Sequence, residues 1–265
     1  ANKFSFQVLF FYQREPLGTA HAIYSAKKIL KGKVLVLFSD TLFFLNKKID
    51  FLSKNNNGTI LVKEVRNPSQ YGVVTIDKDE IVTSFIEKPD NPKSNLAIIG
   101  VYVFKEGQDL LVEIESLIKS GHKEKNEYQL TTVLKKLTKK GHQFKAIRVN
   151  DWLDCGNPKQ LIMTNTYLLK NNRYDKKYTE KHKTKIVPPV YIGKNVIIKK
   201  SKIGPNVSIE DDVIIEGSII KNTIIQKKTT IIGGNFSYSL IGEYVYYKQN
   251  YKHANIGDYS KFNND

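Results

Sequence analysis

The sequence predicts an open α/β domain over residues 1–170, a connecting segment at 171–185 and a parallel β-helix over 186–265. Three observations predict it. Through the first of these stretches, short apolar runs alternate with amphipathic ones, the pattern of a sheet covered by helices. At 171–185 the composition turns charged and polar, "NNRYDKKYTEKHKTK". Beyond it isoleucine recurs at 192, 198, 203, 209, 215, 220, 225 and 231, five or six residues apart. Such a repeat puts one short strand on each side of a triangular coil and points each isoleucine into the stack. "YIGKNV" and "KIGPNV" carry the matching Ile-Gly-x-x-Val pattern.

Taken in order, residues 7–12 (QVLFFY) read as a buried strand. Residues 19–30 read as a helix with Ala22, Ile23, Ala26, Ile29 and Leu30 on one face. The continuous apolar run at 33–38 (KVLVLF) reads as a strand covered on both sides. "GVVTIDKDEIVTSFIEKP" reads as two strands joined by a polar turn, and "LAIIGVYVF" as a further buried strand. Helices follow at about 108–120 and 128–140, ended by Gly121 and Gly141. "FKAIRV" is then a strand and "NDWLDCGN" a loop, and Pro158 starts a helix reaching Leu169.

Composition narrows the classes. With 265 residues, 40% of them hydrophobic, the chain can bury a core, and no stretch approaches the roughly 20 apolar residues needed to span a bilayer. Cys155 is the single cysteine, which excludes an internal disulfide framework and points to a reducing, cytoplasmic setting. The net charge of +16 favours anionic partners. The excess is nearly all lysine and is spread along the chain, with arginine only at Arg14, Arg66, Arg148 and Arg173. A nucleic-acid surface concentrates arginine in a patch with aromatics, so neither nucleic acid nor a membrane is expected as a partner.

Several residues could carry chemistry. Asp40 lies just past the run ending at Phe38, at the carboxyl end of a predicted strand, where ligands of open α/β sheets bind. Alone it reads equally as a magnesium ligand and as a turn residue. Asp154, in "DWLDCGNP", follows another predicted strand, and the two could share one Mg²⁺, which takes one or two carboxylates and completes its shell with water and phosphate oxygens. Asp154 also reads as an acid leading a helix, and Asp151 competes with it. Glu87 and Lys88, in "EKP", could serve a sugar hydroxyl and a phosphate, or simply end a strand. Glu127 is ambiguous in the same way, and Gly72 either admits a ligand or starts a strand. Cys155 has no histidine partner in sequence and reads as a packing residue.

Together "QREPLGTAHAI", "LFSDTLF", "YGVV", "FIEKP", "LAIIGVYVF", "NEYQLTTVL" and "WLDCGNP", in that order, resemble the sugar-1-phosphate nucleotidyltransferases, above all glucose-1-phosphate thymidylyltransferases with a C-terminal β-helix. The resemblance implies a Rossmann-like domain with a mixed, mostly parallel sheet, followed by a left-handed β-helix of hexapeptide repeats. It implies that Gln13 reads a nucleobase edge and that Gly18, with Pro16 and Thr19 beside it, lets the backbone approach the base. It places Gly72, Glu87, Ile98, Ile99 and Glu127 at the sugar, Lys88 at the sugar phosphate, and Asp40 and Asp154 on Mg²⁺. The implied reaction joins a nucleoside triphosphate, dTTP by expectation, to glucose 1-phosphate. Transfer from UTP, GTP or CTP, or a non-catalytic nucleotide-sugar-binding subunit, are the alternatives.

The family's glycine-rich loop, Gly-x-Gly-Thr-Arg, does not occur before "ANKFSFQV". The chain is therefore expected to be an N-terminally truncated and inactive piece of a longer enzyme. The β-helix is expected to support homo-oligomeric assembly. Acyl transfer there is not expected, because its one histidine, His253, sits in what reads as the closing turns.

Overall fold

In the computed structural model, which describes residues 7–46, 51, 55–171 and 183–249, the chain divides between Trp152 and Leu153 into two units. The first contains α1 (Thr19–Tyr24), β1 (Val34–Leu37), β2 (Thr41–Phe44), β3 (Gly58–Glu64), β4 (Gly72–Ile76), β5 (Val82–Glu87), β6 (Leu96–Phe104), α2 (Gly107–Ser120), α3 (Leu130–Lys139) and β7 (Phe144–Arg148). β6 is its centre. Along one edge it pairs antiparallel with β3; on the other it pairs antiparallel with β1 through Val101–Phe104 and with β4 through Leu96 and Ala97. β7 joins β3 in parallel and β5 joins β4 antiparallel. β1, β3, β4 and β7 therefore run one way and β5 and β6 the other: the sheet is mixed and most of its strands share a direction, as expected.

Strand alternation sends the side chains of β6 to two cores. Ile98, Tyr102 and Phe104 pack with Leu110, Ile114 and Leu117 of α2 and Leu130, Val133 and Leu134 of α3. Ile99 and Val101 pack with Leu61 and Val149 on the opposite face. The hairpin of β4 and β5 forms as expected, and α2 ends at Gly121 in the left-handed conformation that glycine adopts freely.

The opening segments differ from expectation. Residues 7–12 form no strand; Phe10 is 78% and Tyr12 84% exposed, and no described strand pairs with them. Apolar side chains permit burial, but a strand also needs a hydrogen-bonding edge to join. The helix expected over 19–30 stops at Tyr24, with a single tighter turn at Lys27–Ile29. Ala20 and Leu30 are buried there, whereas Ala22 and Ile29 face out. β1 is covered on one face only: Val34 and Val36 pack into the core, while Leu35 and Leu37 are 63% and 53% exposed. A run apolar at every position hides which of its two faces is covered. Finally, Asp151–Asp154, expected within a loop, is a strand, β8. Trp152 anchors it by packing beside the Ile99 cluster and edge-on to Tyr71, with ring centroids 5.0 Å apart.

The second unit begins with α4 (Pro158–Asn171), which packs on the strand Val207–Ile209 of a parallel β-solenoid. Three internal ladders build that solenoid: Ile186–Ile203–Ile220–Phe236, Ile192–Ile209–Ile225–Ile241 and Ile198–Ile215–Ile231–Tyr247. Every isoleucine of the sequence repeat lies in one of them. The step from Ile186 to Ile203 recurs from Ile203 to Ile220, whereas the step from Ile209 to Ile225 and on to Ile241 is shorter by a single position. The corners repeat in register too. Asn195, Asp212, Lys228 and Tyr244 occupy one corner, each with positive φ, and Lys183, Lys200, Gly217 and Gly233 do the same at another. Left-handed backbone at those points turns the chain onto the next side.

Among the described residues no helix is long and apolar enough to cross a membrane. His253 and most of the 171–185 connection lie outside the described residues.

Candidate functional site

Two segments far apart in sequence meet in the first unit. Gly18 adopts φ 110 and ψ 174, and a Cβ there would stand 2.7 Å from the carbonyl oxygen of Tyr128 and 2.8 Å from Cβ of Glu127. Only glycine lets the two backbones come this close. Hydrogen bonds fix the meeting: Tyr128 N–H donates to the Leu17 carbonyl (2.8 Å) and Ala20 N–H to the Tyr128 carbonyl (2.9 Å). Thr19 Oγ1 accepts from Leu130 N–H at 2.9 Å and donates to Gln129 Oε1 at 3.3 Å. It thereby satisfies an open donor at the start of α3. Pro16 is exposed at the turn.

Gln13 is half-buried, and its amide nitrogen contacts the Gly18 carbonyl (3.1 Å) and His21 Nδ1 (3.0 Å). Its amide plane is held before any ligand arrives.

The sugar residues expected from sequence also converge. A Cβ on Gly72 would lie 2.9 Å from Thr131 Cγ2, 3.0 Å from Glu87 Oε2 and 3.4 Å from Ile98 Cδ1. Gly72, Glu87 and Ile98 thus share one wall, and Thr131, which sequence reasoning missed, completes it by donating to Glu87 Oε2 at 2.8 Å. Ile99 points to the opposite face of β6, so it does not join them. Next to this wall, Glu124 and Glu127 exchange backbone hydrogen bonds at 2.9 and 3.1 Å. Their carboxylates accept from Thr132 Oγ1 (2.7 Å) and Gln129 Nε2 (2.9 Å) respectively. Lys88, exposed with φ 40, follows β5 and donates its backbone N–H to the Tyr71 carbonyl at 3.1 Å.

Burial pushes the Glu87 carboxyl above its ordinary value; the Thr131 hydrogen bond and Lys88 oppose this, and Glu124 and Glu127 add to it. Burial beside Glu87 likewise raises the Tyr102 hydroxyl. The folded state holds the Glu87 proton more tightly than the unfolded chain does. Stability is therefore full in acid and is lost as pH rises through the raised value. Glu87→Gln is accordingly expected to melt with wild type in acid and above it at neutral pH, measured by thermal denaturation across pH. A constant difference at every pH would show that the charge carries no such cost.

The two aspartates have different surroundings. Asp40, in the first unit, is exposed in the turn after β1, and none of the described residues bonds its carboxylate. Asp154, in the second unit, accepts from Gly156 N–H on Oδ1 (2.8 Å) and from Gln160 Nε2 on Oδ2 (2.9 Å). Both bonds lie in the turn into α4, where Asn157 Oδ1 accepts from Gln160 N–H, and each Asp154 oxygen keeps a further lone pair. Among the described residues no group of three or more His, Cys, Asp or Glu is placed around a metal. Each aspartate, taken by itself, fits Mg²⁺, which takes one or two carboxylates and leaves most of its coordination to water and phosphate.

The chain belongs to the nucleotidyl transferase family, which matches residues 1–171. It is 33% identical over 194 residues to the bifunctional protein GlmU of Methanococcus aeolicus, covering 73% of this chain and 43% of that protein. The GlmU of Methanocaldococcus jannaschii is 35% identical over 195 residues, 73% of this chain and 44% of the relative. A low-salt glycan biosynthesis nucleotidyltransferase of Haloferax volcanii is 30% identical over 178 residues, 65% and 48% of the two chains. The chain thus spans less than half the length of these relatives.

Proposed function

We propose that the protein transfers a nucleotidyl group from a nucleoside triphosphate to a sugar 1-phosphate, releasing pyrophosphate. The observation that carries this reading is the span of residues 127–131. Tyr128 and Leu130 bond to the turn at Leu17–Ala20, while Thr131 donates to Glu87 and Glu127 lies beside that wall. On this reading one short segment joins the nucleobase subsite to the sugar subsite.

In this mechanism Gln13 and Gly18 hold the base. Glu87 and Glu127 accept hydrogen bonds from sugar hydroxyls, and Gly72 and Ile98 shape the wall against which the ring lies. Lys88 brings a mobile cation to the sugar phosphate. The attacking phosphate oxygen and the α-phosphorus need alignment more than covalent assistance, and that is what two adjoining subsites supply. Asp40 and Asp154 are the residues that would hold Mg²⁺, which when bound would neutralise charge developing on the phosphates. The solenoid would join copies of the chain. Proteins named as bifunctional nucleotidylyltransferase/acetyltransferase, such as one from Sulfurisphaera tokodaii, are among the relatives; here the solenoid's role is read as structural.

The finer reading is thymidylyl transfer from dTTP to glucose 1-phosphate, with UTP, GTP and CTP as rivals. The test is pyrophosphate release from these four triphosphates against a set of sugar 1-phosphates, using the full-length gene product. Release with one base and one sugar names the reaction. No release with any pair, alongside measurable nucleotide-sugar binding, would favour a binding subunit and overturn the proposal.

A further inference from the structure

We infer that His21 is a positioning residue that engages the second N–H of Gln13 and so leaves only its Oε1 to meet the nucleobase, an inference that rests on the base-binding reading of this turn. The Gln13 side chain approaches the Gly18 carbonyl at 3.1 Å, and a carbonyl oxygen can only accept. The amide must therefore present nitrogen there, because the reversed amide would set two oxygens against each other. The same nitrogen lies 3.0 Å from His21 Nδ1, and an amide nitrogen has no lone pair to offer a donor. His21 Nδ1 must then be the acceptor, which leaves the imidazole neutral with its proton on Nε2. Both N–H bonds of Gln13 are thereby spent inside the protein, and only Oε1 is left for a ligand.

Specificity follows from that commitment. An oxygen fixed in this place is satisfied by a ring N–H, as on uracil or thymine. At the same ring position cytosine carries a lone pair, which would face the Gln13 oxygen. Leaving polar groups unpaired in such a site costs about 5- to 150-fold in affinity. Without His21 the amide keeps its Gly18 contact, but its second N–H has no acceptor and is free to donate to a lone pair on the base, so the discrimination should fade. The backbone around His21 is held independently by α1 and by Ser25 Oγ and Ser25 N–H, which both donate to the His21 carbonyl. The Tyr128 ring neighbours the imidazole, tilted by 30° with centroids 6.5 Å apart, and brings it no formal charge.

The experiment compares dissociation constants for UTP, dTTP and CTP, by titration calorimetry, in wild type, His21→Asn and His21→Leu. Asparagine can place an oxygen acceptor where Nδ1 stands; leucine keeps bulk without an acceptor. Wild type should prefer UTP or dTTP over CTP by about tenfold or more, His21→Asn should keep that ratio, and His21→Leu should reduce it to within about threefold. Loss of the ratio in both variants, or its survival in His21→Leu, overturns the role of His21 and leaves the proposed function standing. Failure of wild type to bind any triphosphate overturns both. A second readout needs no variant and no ligand: the imidazole ¹⁵N shifts of the folded protein should show the neutral Nε2–H form of His21. The Nδ1–H form would overturn the inference by itself.

Discussion

Asp40→Asn is expected to lower the proposed nucleotidyl transfer by about 100- to 10,000-fold while leaving the melting temperature of the protein unchanged. The two halves of that result have separate causes. The turn carrying Asp40 is built without its carboxylate: Phe38 N–H donates to the Gly100 carbonyl at 2.9 Å, and Thr41 Oγ1 to the Ile99 carbonyl at 2.7 Å. Nothing in the fold should notice an amide at this exposed site. The charge removed is, in the proposed mechanism, one of those holding the metal beside the phosphates. Asp154→Asn should differ in kind. Its two oxygens accept from Gly156 and Gln160, and an amide can keep only one of those bonds, so lower activity should come with a loss of stability of about 1 kcal/mol. Steady-state kinetics at limiting Mg²⁺, paired with thermal melts, separates the cases. Near-normal turnover of Asp40→Asn under those conditions would remove Asp40 from the site.

Gly18→Ala should cost about 2 kcal/mol or more of stability, a fall of several degrees in melting temperature. At φ 110 and ψ 174 the residue occupies a backbone region that is essentially glycine's own. The added methyl would also meet the Tyr128 carbonyl at 2.7 Å, a backbone atom that cannot step aside as a flexible side chain would. Relief would require the turn to part from residues 127–128, freeing Thr19 from the start of α3. Gly121→Ala is the control: it has φ 66 but open space around it, so it should show the backbone cost alone, about 1 kcal/mol. Equal melts for the two variants would mean that the close approach is not tight in solution.

What could be read from the sequence depended on whether an effect repeats locally. The solenoid was legible because its rule is periodic: a residue every five or six positions points inward, and isoleucine marks it. The sheet was legible at β6, where both faces are buried and apolarity is unbroken. The same apolarity misled at 7–12 and at β1, since a hydrophobic run does not say whether a neighbour or a covering layer exists. β8 escaped because it is short and its residues, Trp152 apart, read as part of a turn. In the site, the wall residues Gly72, Glu87 and Ile98 were placed together from motifs. The partners Thr131, Glu124 and His21 were not, because each matters through the direction of a hydrogen bond. Thr19 is the sharpest case. It sits in the motif assigned to the nucleotide, yet its hydroxyl accepts from Leu130 N–H, far along the chain.

The solenoid ladders also bear on the order in which the chain can acquire its structure during synthesis. Every rung finds its partner in the turn made just before it, as Ile203 finds Ile186 and Ile225 finds Ile209. Each new turn can therefore close on the last with little loop to gather. β1 has no such local route. Val34 pairs with Phe104, so β1 must wait on the emerging chain until β6 has been made. During that wait the apolar row of β1 has no sheet to join, which makes this interval the one most open to chaperone capture or misassociation.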